Sequence, residues 1–79
     1  MVRKDGAEVR RQRIAEIGKA VQKSLLNHGE IVLSKTIAVL QYESGLTKEK
    51  VLEYLEVLEN LGQFEIDREN DKIKKITES

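Results

Sequence analysis

The sequence predicts a small, mainly helical domain that closes with a β-hairpin, and three observations predict it. Apolar residues recur at helical spacing over three stretches, each of which ends at or beside a glycine. The segment after the last of these glycines alternates apolar and polar residues, as a strand does. A polar, turn-forming segment then leads into a second short apolar run, so the two runs are expected to pair.

The first helix is predicted from about Ala7 to Asn27, after a frayed segment from Met1 to Gly6. One stripe of this helix is apolar and consists of Ile14, Ile17, Val21 and Leu25. Gly29 can adopt the left-handed conformation that ends a helix. Gly18 lies beside the stripe and costs roughly 1 kcal/mol of helix stability relative to Ala, so we expect another element to approach it closely.

A short extended run, Glu30 to Leu33, and a second helix, Lys35 to about Glu43, come next. Ser34 is predicted to be the N-cap of that helix, because its hydroxyl can accept from free N–H groups of the first turn. Ser44 and Gly45 end the helix, and the third helix starts almost at once. Two short helices joined by a tight turn that contains glycine form a helix-turn-helix arrangement.

The third helix carries the clearest local signal in the chain. Thr47 is a good N-cap, and Gly62 can take the left-handed conformation that closes a helix. The apolar stripe of this helix consists of Val51, Leu55, Leu58 and Leu61. The hairpin is then predicted from Gln63 to Asp67 and from Lys72 to Ile76. Because the two isoleucines of the returning strand are three residues apart, a bulge or an irregular strand end is expected there.

Composition excludes several classes of function. The 79 residues fit one domain, and the 14 basic and 14 acidic residues cancel, so the overall charge points to no partner. The lack of cysteine excludes a disulfide framework and thiolate chemistry. No apolar run is long enough to span a membrane and no signal-like leader is present, so a cytoplasmic protein without membrane contact is expected. The charge is uneven, since residues 1–28 carry a net +4 and the remainder −4.

Nothing in the sequence indicates catalysis, and no cofactor or metal is expected. The chain has one histidine, no cysteine, no glycine-rich phosphate loop and no ligand set with metal-binding spacing. His28 falls where the first helix ends, and a cation there interacts favourably with the helix dipole, so a structural role is expected. We therefore expect that the protein is not an enzyme.

The order helix, strand, helix, helix, strand, strand resembles a winged helix-turn-helix domain of the small archaeal type. The likeness is carried by the entry into the second helix, Gly29-Glu30-Ile31-Val32-Leu33-Ser34, by the turn Gly45-Leu46-Thr47, and by the run of the third helix into Phe64-Glu65-Ile66. On this interpretation residues 1–13 form a basic N-terminal arm and the start of the first helix, residues 14–76 form the winged-helix domain, and residues 77–79 form a frayed tail.

The resemblance implies binding to double-stranded DNA, with the third helix in the major groove and the hairpin, or wing, on the backbone. The candidate DNA contacts are Arg10, Arg11 and Arg13 in the arm, Thr47, Lys48, Lys50 and Tyr54 on the third helix, and Arg68, Lys72, Lys74 and Lys75 in the wing. Such a protein is expected to be a transcriptional regulator or a chromatin or replication accessory factor. A homodimer is also expected, with Leu26 as a contact, because two copies neutralise twice as many phosphates.

The outward face of the third helix favours a different function. On a helical wheel with the apolar stripe inward, the centre of the outward face is occupied by Glu49, Glu53, Glu56 and Asn60. Carboxylates there repel phosphates, so the alternative is a protein-interaction winged helix that docks this acidic face on a basic partner and binds no DNA. Each of these features also has a simpler explanation. The acidic residues can form a solvated helix face, and the wing lysines can protect an edge strand. The tyrosines can lie at the edge of the core, and the arginines of the arm can pair with Glu8 and Glu16.

Overall fold

A computed structural model describes residues 6–76 of the chain, and every structural statement below concerns these residues. Its elements are α1 (Gly6–His28), β1 (Glu30–Val32), α2 (Leu33–Ser44), α3 (Lys48–Asn60), β2 (Glu65–Asp67) and β3 (Lys72–Lys74). The fold class predicted from the sequence is confirmed, because the chain is mainly helical and has the element order of a winged helix. Of the predicted frayed ends, Met1 to Gly6 and Thr77 to Ser79, all residues except Gly6 lie outside the described part of the chain. The prediction is wrong for Gly6, which is the first residue of α1.

The strands form one antiparallel sheet in the order β1-β3-β2, so the short strand β1 joins the hairpin through β3. Ile73 pairs with Ile31 on one side and with Ile66 on the other, and its side chain is fully buried. The returning strand is shorter than predicted and ends at Lys74. Ile76 lies beyond the strand and is exposed, which agrees with the expectation of an irregular strand end.

The hydrophobic core is built where α1, α2 and the sheet meet α3. Its most deeply buried side chains are Phe64, Leu25, Leu55, Leu58, Ile73, Val21 and Val51. The apolar stripes predicted for α1 and α3 supply most of this set. Leu61 differs from the prediction, because the helix ends just before it and its side chain is exposed. The helices α1 and α2 each pack against α3 and β1, and they contact each other little.

Two predictions about α3 and its neighbours are confirmed. The Oγ1 atom of Thr47 accepts from the backbone N–H of Lys50 at 3.2 Å, as an N-cap does. Close packing at Gly18 is also present, because a methyl group there would lie 2.9 Å from Oε1 of Gln63 and 3.0 Å from Cδ2 of Leu58. The end of α3 is thereby held against α1, and the side-chain amide of Gln22 donates to the carbonyl of Gln63 at 2.7 Å.

The predicted N-cap at Ser34 is wrong. The helix α2 already begins at Leu33, and the residue in the cap position, Val32, offers no side-chain acceptor. Asp71, in the turn between β2 and β3, takes this role instead. Its carboxylate accepts from the backbone N–H of Ser34 at 2.9 Å and from the Ser34 hydroxyl at 2.6 Å, and its carbonyl accepts from the Leu33 N–H at 2.9 Å. The wing turn therefore caps α2.

Candidate interaction surfaces

Arg10 and Tyr54, both predicted to contact DNA, lie against each other. The Arg10 guanidinium lies 5.9 Å from the centre of the Tyr54 ring and pairs with the Glu53 carboxylate at 2.8 Å. The Tyr54 side chain is only 6% exposed, so it belongs to the core and offers no free ring face for stacking on a base. Arg10 thus contacts both Tyr54, which was also predicted to bind DNA, and Glu53, which belongs to the predicted acidic protein interface.

The start of α3 is only partly available for contacts. The Thr47 hydroxyl is used in the cap, and Lys50 pairs with Glu53 at 3.2 Å, one turn further along the helix. Lys48 is exposed and forms no ion pair within the described part of the chain. Arg11 and Arg13, at the start of α1, share this property.

The cations of the wing are mostly paired with the protein's own carboxylates. Arg68 contacts Glu56 at 3.4 Å and Glu59 at 3.8 Å on α3, and the second Glu59 oxygen accepts from the backbone N–H of Ile66. The remaining pairs join Lys72 to Glu30 at 3.4 Å and Lys74 to Asp67 at 3.3 Å. Lys75 is exposed and has no ion pair among residues 6–76.

Two of the paired carboxyl groups have a lowered pKa. For Glu53 the main cause is the hydrogen bond from Lys50, to which the charges of Lys50 and Arg10 add. For Asp67 the pKa is lowered mainly by hydrogen bonds from Asn70, with a smaller contribution from Lys74. Both groups therefore keep their negative charge at neutral pH, beside the cations that were predicted to meet phosphate.

We call the outward side of α3, together with the wing, Arg10 and Glu30 of β1, the paired face. The ion pairs on it involve five cations and five carboxylates among the described residues, so the paired groups carry no net charge. In the predicted acidic interface, Glu53 and Glu56 are part of these pairs. Glu49 and Asn60 are exposed and form no ion pair or side-chain hydrogen bond within the described residues. The face is therefore one of mixed charge rather than an acidic one.

A second surface, which the sequence reasoning missed, is an open groove between α1 and α2 with a volume of about 560 Å³. Its floor is mainly apolar and includes Val21, Leu40, Ile31 and Val32. One wall is formed by Ala20, Ser24 and His28 of α1, and the other by Lys35, Val39 and Glu43 of α2. Both helices pack on α3 and contact each other little, which leaves the groove between them, and no local pattern in the sequence reports this arrangement.

The outward side of α2, next to this groove, differs in character from the paired face. We call it the α2 face, and it consists of Lys35, Val39, Tyr42 and Glu43. Tyr42 is 91% exposed and Val39 is 53% exposed. Neither Lys35 nor Glu43 forms an ion pair or a side-chain hydrogen bond among the described residues. Glu43 also borders a smaller pocket of about 370 Å³ that Arg13, Glu16 and Leu46 help to line.

The remaining observations concern metal ligands, membrane spans and the exposed Leu26. Within residues 6–76 no three potential metal ligands come together from histidine, aspartate and glutamate side chains. None of the described helices is both long and apolar enough to cross a membrane. The predicted homodimer contact Leu26 is 70% exposed and lies outside both pockets.

No protein-family model and no curated protein matches the chain. Among solved structures it is similar to the winged-helix B domain of Cdc53 in the complex Dcn1(P)–Cdc53(WHB), from work on a dual E3 mechanism for Rub1 ligation to Cdc53. The TM-score is 0.69, and the match covers 98% of this chain and 100% of the other at 8% sequence identity. At that identity the likeness supports the winged-helix fold and nothing finer.

Proposed function

We propose that this winged helix is a protein-interaction module that docks through the paired face, and that it does not read DNA. The observation that carries the proposal is the charge pairing on that face. Each of its five paired cations lies within 3.8 Å of a carboxylate of the same chain. Mixed charge suits a partner surface that also carries both signs, which is a protein surface rather than a polyanion.

The physical reason lies in how DNA is bound. Affinity depends heavily on neutralising phosphates, so cations must approach them without bringing negative charge along. Opening an ion pair such as Arg68–Glu56 frees the cation, but the carboxylate stays close by on α3. A phosphate that approaches Arg68 or Lys50 therefore also approaches Glu56 or Glu53. The similar structure is a complex of two proteins, Dcn1 and Cdc53, which supports a protein partner as a precedent for the fold.

DNA binding remains the second candidate, and one observation favours it. Arg13 and Leu46 line the same small pocket, so the basic start of α1 lies beside the turn that leads into Lys48. Arg11, Arg13 and Lys48 are exposed and form no ion pair among residues 6–76. A regulator or accessory factor of the kind implied by the resemblance would use this basic corner, and two copies would double its phosphate contacts.

A titration of labelled random duplex by fluorescence anisotropy separates the two candidates. Three phosphate contacts through Arg11, Arg13 and Lys48 would make the affinity fall about 40-fold between roughly 50 and 200 mM salt. Our proposal expects no such binding at the lower salt concentration. Salt-sensitive binding that is lost in the triple variant R11A/R13A/K48A would overturn it in favour of DNA.

Site-specific photo-crosslinking tests the docking surface itself. A photoreactive residue is placed at Glu49 or Asn60, the exposed and unpaired positions of the paired face, and the protein is mixed with a nuclease-treated extract of its own cells. We expect a discrete protein adduct at one or both positions. The matched control is Leu26, which is exposed on α1 away from this face. Equal adducts at all three positions, or none at Glu49 and Asn60, would contradict the proposal.

A further inference from the structure

The two charges of the α2 face stand at the wrong ends of their own helix. A helix favours negative charge in its first turn and positive charge in its last. In α2 the first turn carries Lys35 and no acidic residue, and the last turn carries Glu43 and no basic residue. Neither charge is compensated by an ion pair within the described part of the chain. A local rule broken without compensation points to a role outside the helix.

The spacing of the α2 face is self-complementary. Val39 stands midway between Lys35 and Glu43, four residues from each, and all three line the same wall of the groove. Residues four apart form a ridge along one side of a helix, and such ridges pack against each other. If a second copy of α2 lies antiparallel with Val39 against Val39, each Lys35 meets the other copy's Glu43. The distance along the helix from Lys35 to Glu43 is about 12 Å at 1.5 Å per residue, and it is the same in both copies.

The antiparallel arrangement also places each charge near a helix end of opposite sign. Each Lys35 then lies near the negative C-terminal end of the neighbouring helix, and each Glu43 near its positive N-terminal end. Two-fold symmetry places both copies of Tyr42 on the same side of the seam, where their exposed rings can cover the apolar contact made by Val39. The Thr36 hydroxyl already donates to the Val32 carbonyl at 2.8 Å, so this groove residue needs no further polar partner.

We propose that the α2 face is a homodimer interface in which two copies of α2 pack antiparallel about a two-fold axis through Val39. The occupant is a second copy of this chain, because the pattern basic, apolar, acidic is complementary to its own reverse. The inference goes beyond the proposed function, since self-association involves neither the paired face nor another kind of molecule. It also moves the dimer contact from Leu26, where the sequence analysis placed it, to α2.

The expected dimer is a weak one. A standard stable interface takes about a tenth of a small protein's surface from each partner, which for a surface of 5979 Å² is about 600 Å² per copy. Two copies then bury about 1,200 Å², at the low end of the range for specific complexes. We therefore expect dissociation in the micromolar range or weaker, and the experiment must reach concentrations of several hundred micromolar.

Sedimentation equilibrium on charge variants tests the pairing. In K35E both ends of the seam carry glutamate, and in E43K both carry lysine, so each variant alone should weaken the dimer at least about tenfold. Mixing K35E with E43K should restore a dimer, because every glutamate of one chain then meets a lysine of the other. The double swap K35E/E43K should also dimerise with itself. By symmetry each substitution alters two contacts, which enlarges the effect.

The controls separate loss of the interface from loss of the fold. V39E, on the two-fold axis, should be monomeric, whereas L26E places the same charge at a more exposed residue on the other side of α1 and should dimerise like the wild type. Thermal melts confirm that each variant is folded. A wild-type chain that stays monomeric at several hundred micromolar overturns the inference. So does a dimer that V39E preserves, or a mixture of K35E and E43K that does not associate.

Discussion

The paired face and the α2 face handle their charges in opposite ways. On the paired face each of five cations has a carboxylate of the same chain within 3.8 Å, so the charges are compensated by the fold itself. On the α2 face Lys35 and Glu43 have no such partner among the described residues and oppose the dipole of their own helix. The number of charges on a surface is therefore a poor guide to its partner. It is more informative to ask whether those charges are already paired within the same chain.

The comparison also corrects an inference from charge counting. The sequence carries an acidic cluster on α3 and a basic cluster near its N-terminus, which separately favour a basic partner and a polyanion. In the structure Arg10 pairs with Glu53, so the two clusters partly cancel at the place where they meet. The paired face is therefore a mixed-charge surface, on which Glu49 and Lys75 form no ion pair among the described residues. Other unpaired charges are Lys35 and Glu43 on α2 and the basic corner formed by Arg11, Arg13 and Lys48.

The largest expected effect comes from a substitution that damages both faces together. Phe64 is fully buried in the hydrophobic core to which both α2 and α3 contribute. F64A should cost about 3–5 kcal/mol, from lost burial and the cavity that remains, which is a large fraction of the stability of a domain this small. Urea denaturation measures it. The matched control, F64L, keeps most of the volume and should cost clearly less, and equal costs for the two variants would show that the aromatic ring is not packed as described.

A smaller loss of stability is expected when the contact between the wing and α2 is removed. Asp71 caps α2 from the wing turn and has a positive φ of 55°. D71A removes the carboxylate that accepts two hydrogen bonds at the start of α2, so it should lower the free energy of unfolding by about 2 kcal/mol. The matched control is D71N, because asparagine tolerates the positive φ and keeps one acceptor oxygen, so it should cost about half as much. If D71A and D71N are both neutral in urea denaturation, the wing does not hold the start of α2.

These residues also show how far the sequence could predict the fold. Thr47 and Gly62 mark the ends of α3 because their effect is local, and both behave as predicted, with a Thr47 cap and a φ of 81° at Gly62. Ser34 was assigned as a cap by the same local rule and is not one, since Asp71 supplies the acceptor from 37 residues away. Local chemistry predicts an element's end only when the partner is also local.

The candidate surfaces were less predictable than the fold. A helical wheel correctly places Glu53 and Glu56 on the outside of α3, but it cannot show that Arg10 and Arg68 reach them from other elements. Tyr54 illustrates the same limit, because the Arg10 side chain that lies over its ring comes from α1. The groove beside α2 depends on how α1 and α2 pack on α3 with little contact between them. Only the reversed charges of α2 were visible in the sequence, and the helix dipole would have flagged them.

Neutralising carboxylates on the paired face should turn it into a DNA-binding surface. E53Q/E56Q leaves Arg10, Lys50 and Arg68 without these partners, so the affinity for random duplex at about 50 mM salt should rise about tenfold or more above the wild type. The control E65Q/E69Q changes the net charge equally at exposed wing carboxylates that form no ion pair among residues 6–76. Anisotropy titrations measure both. If the two double variants gain equally, overall charge matters and the pairing does not.

The smallest expected effect is on the free energy of unfolding, which charge reversal should raise on the α2 face and lower on the paired face. At concentrations near 1 µM, where the proposed weak dimer is dissociated, E43K should raise the free energy of unfolding by about 0.3–1 kcal/mol, because a cation in the last turn of α2 interacts favourably with the helix dipole. E43Q, which only removes the unfavourable charge, should give about half of that gain. E53K should act in the opposite direction, since it replaces a carboxylate held by Arg10 and Lys50 with a third cation. Urea denaturation of the three variants gives the signs, and a loss of stability in E43K would mean that Glu43 is compensated within the monomer after all.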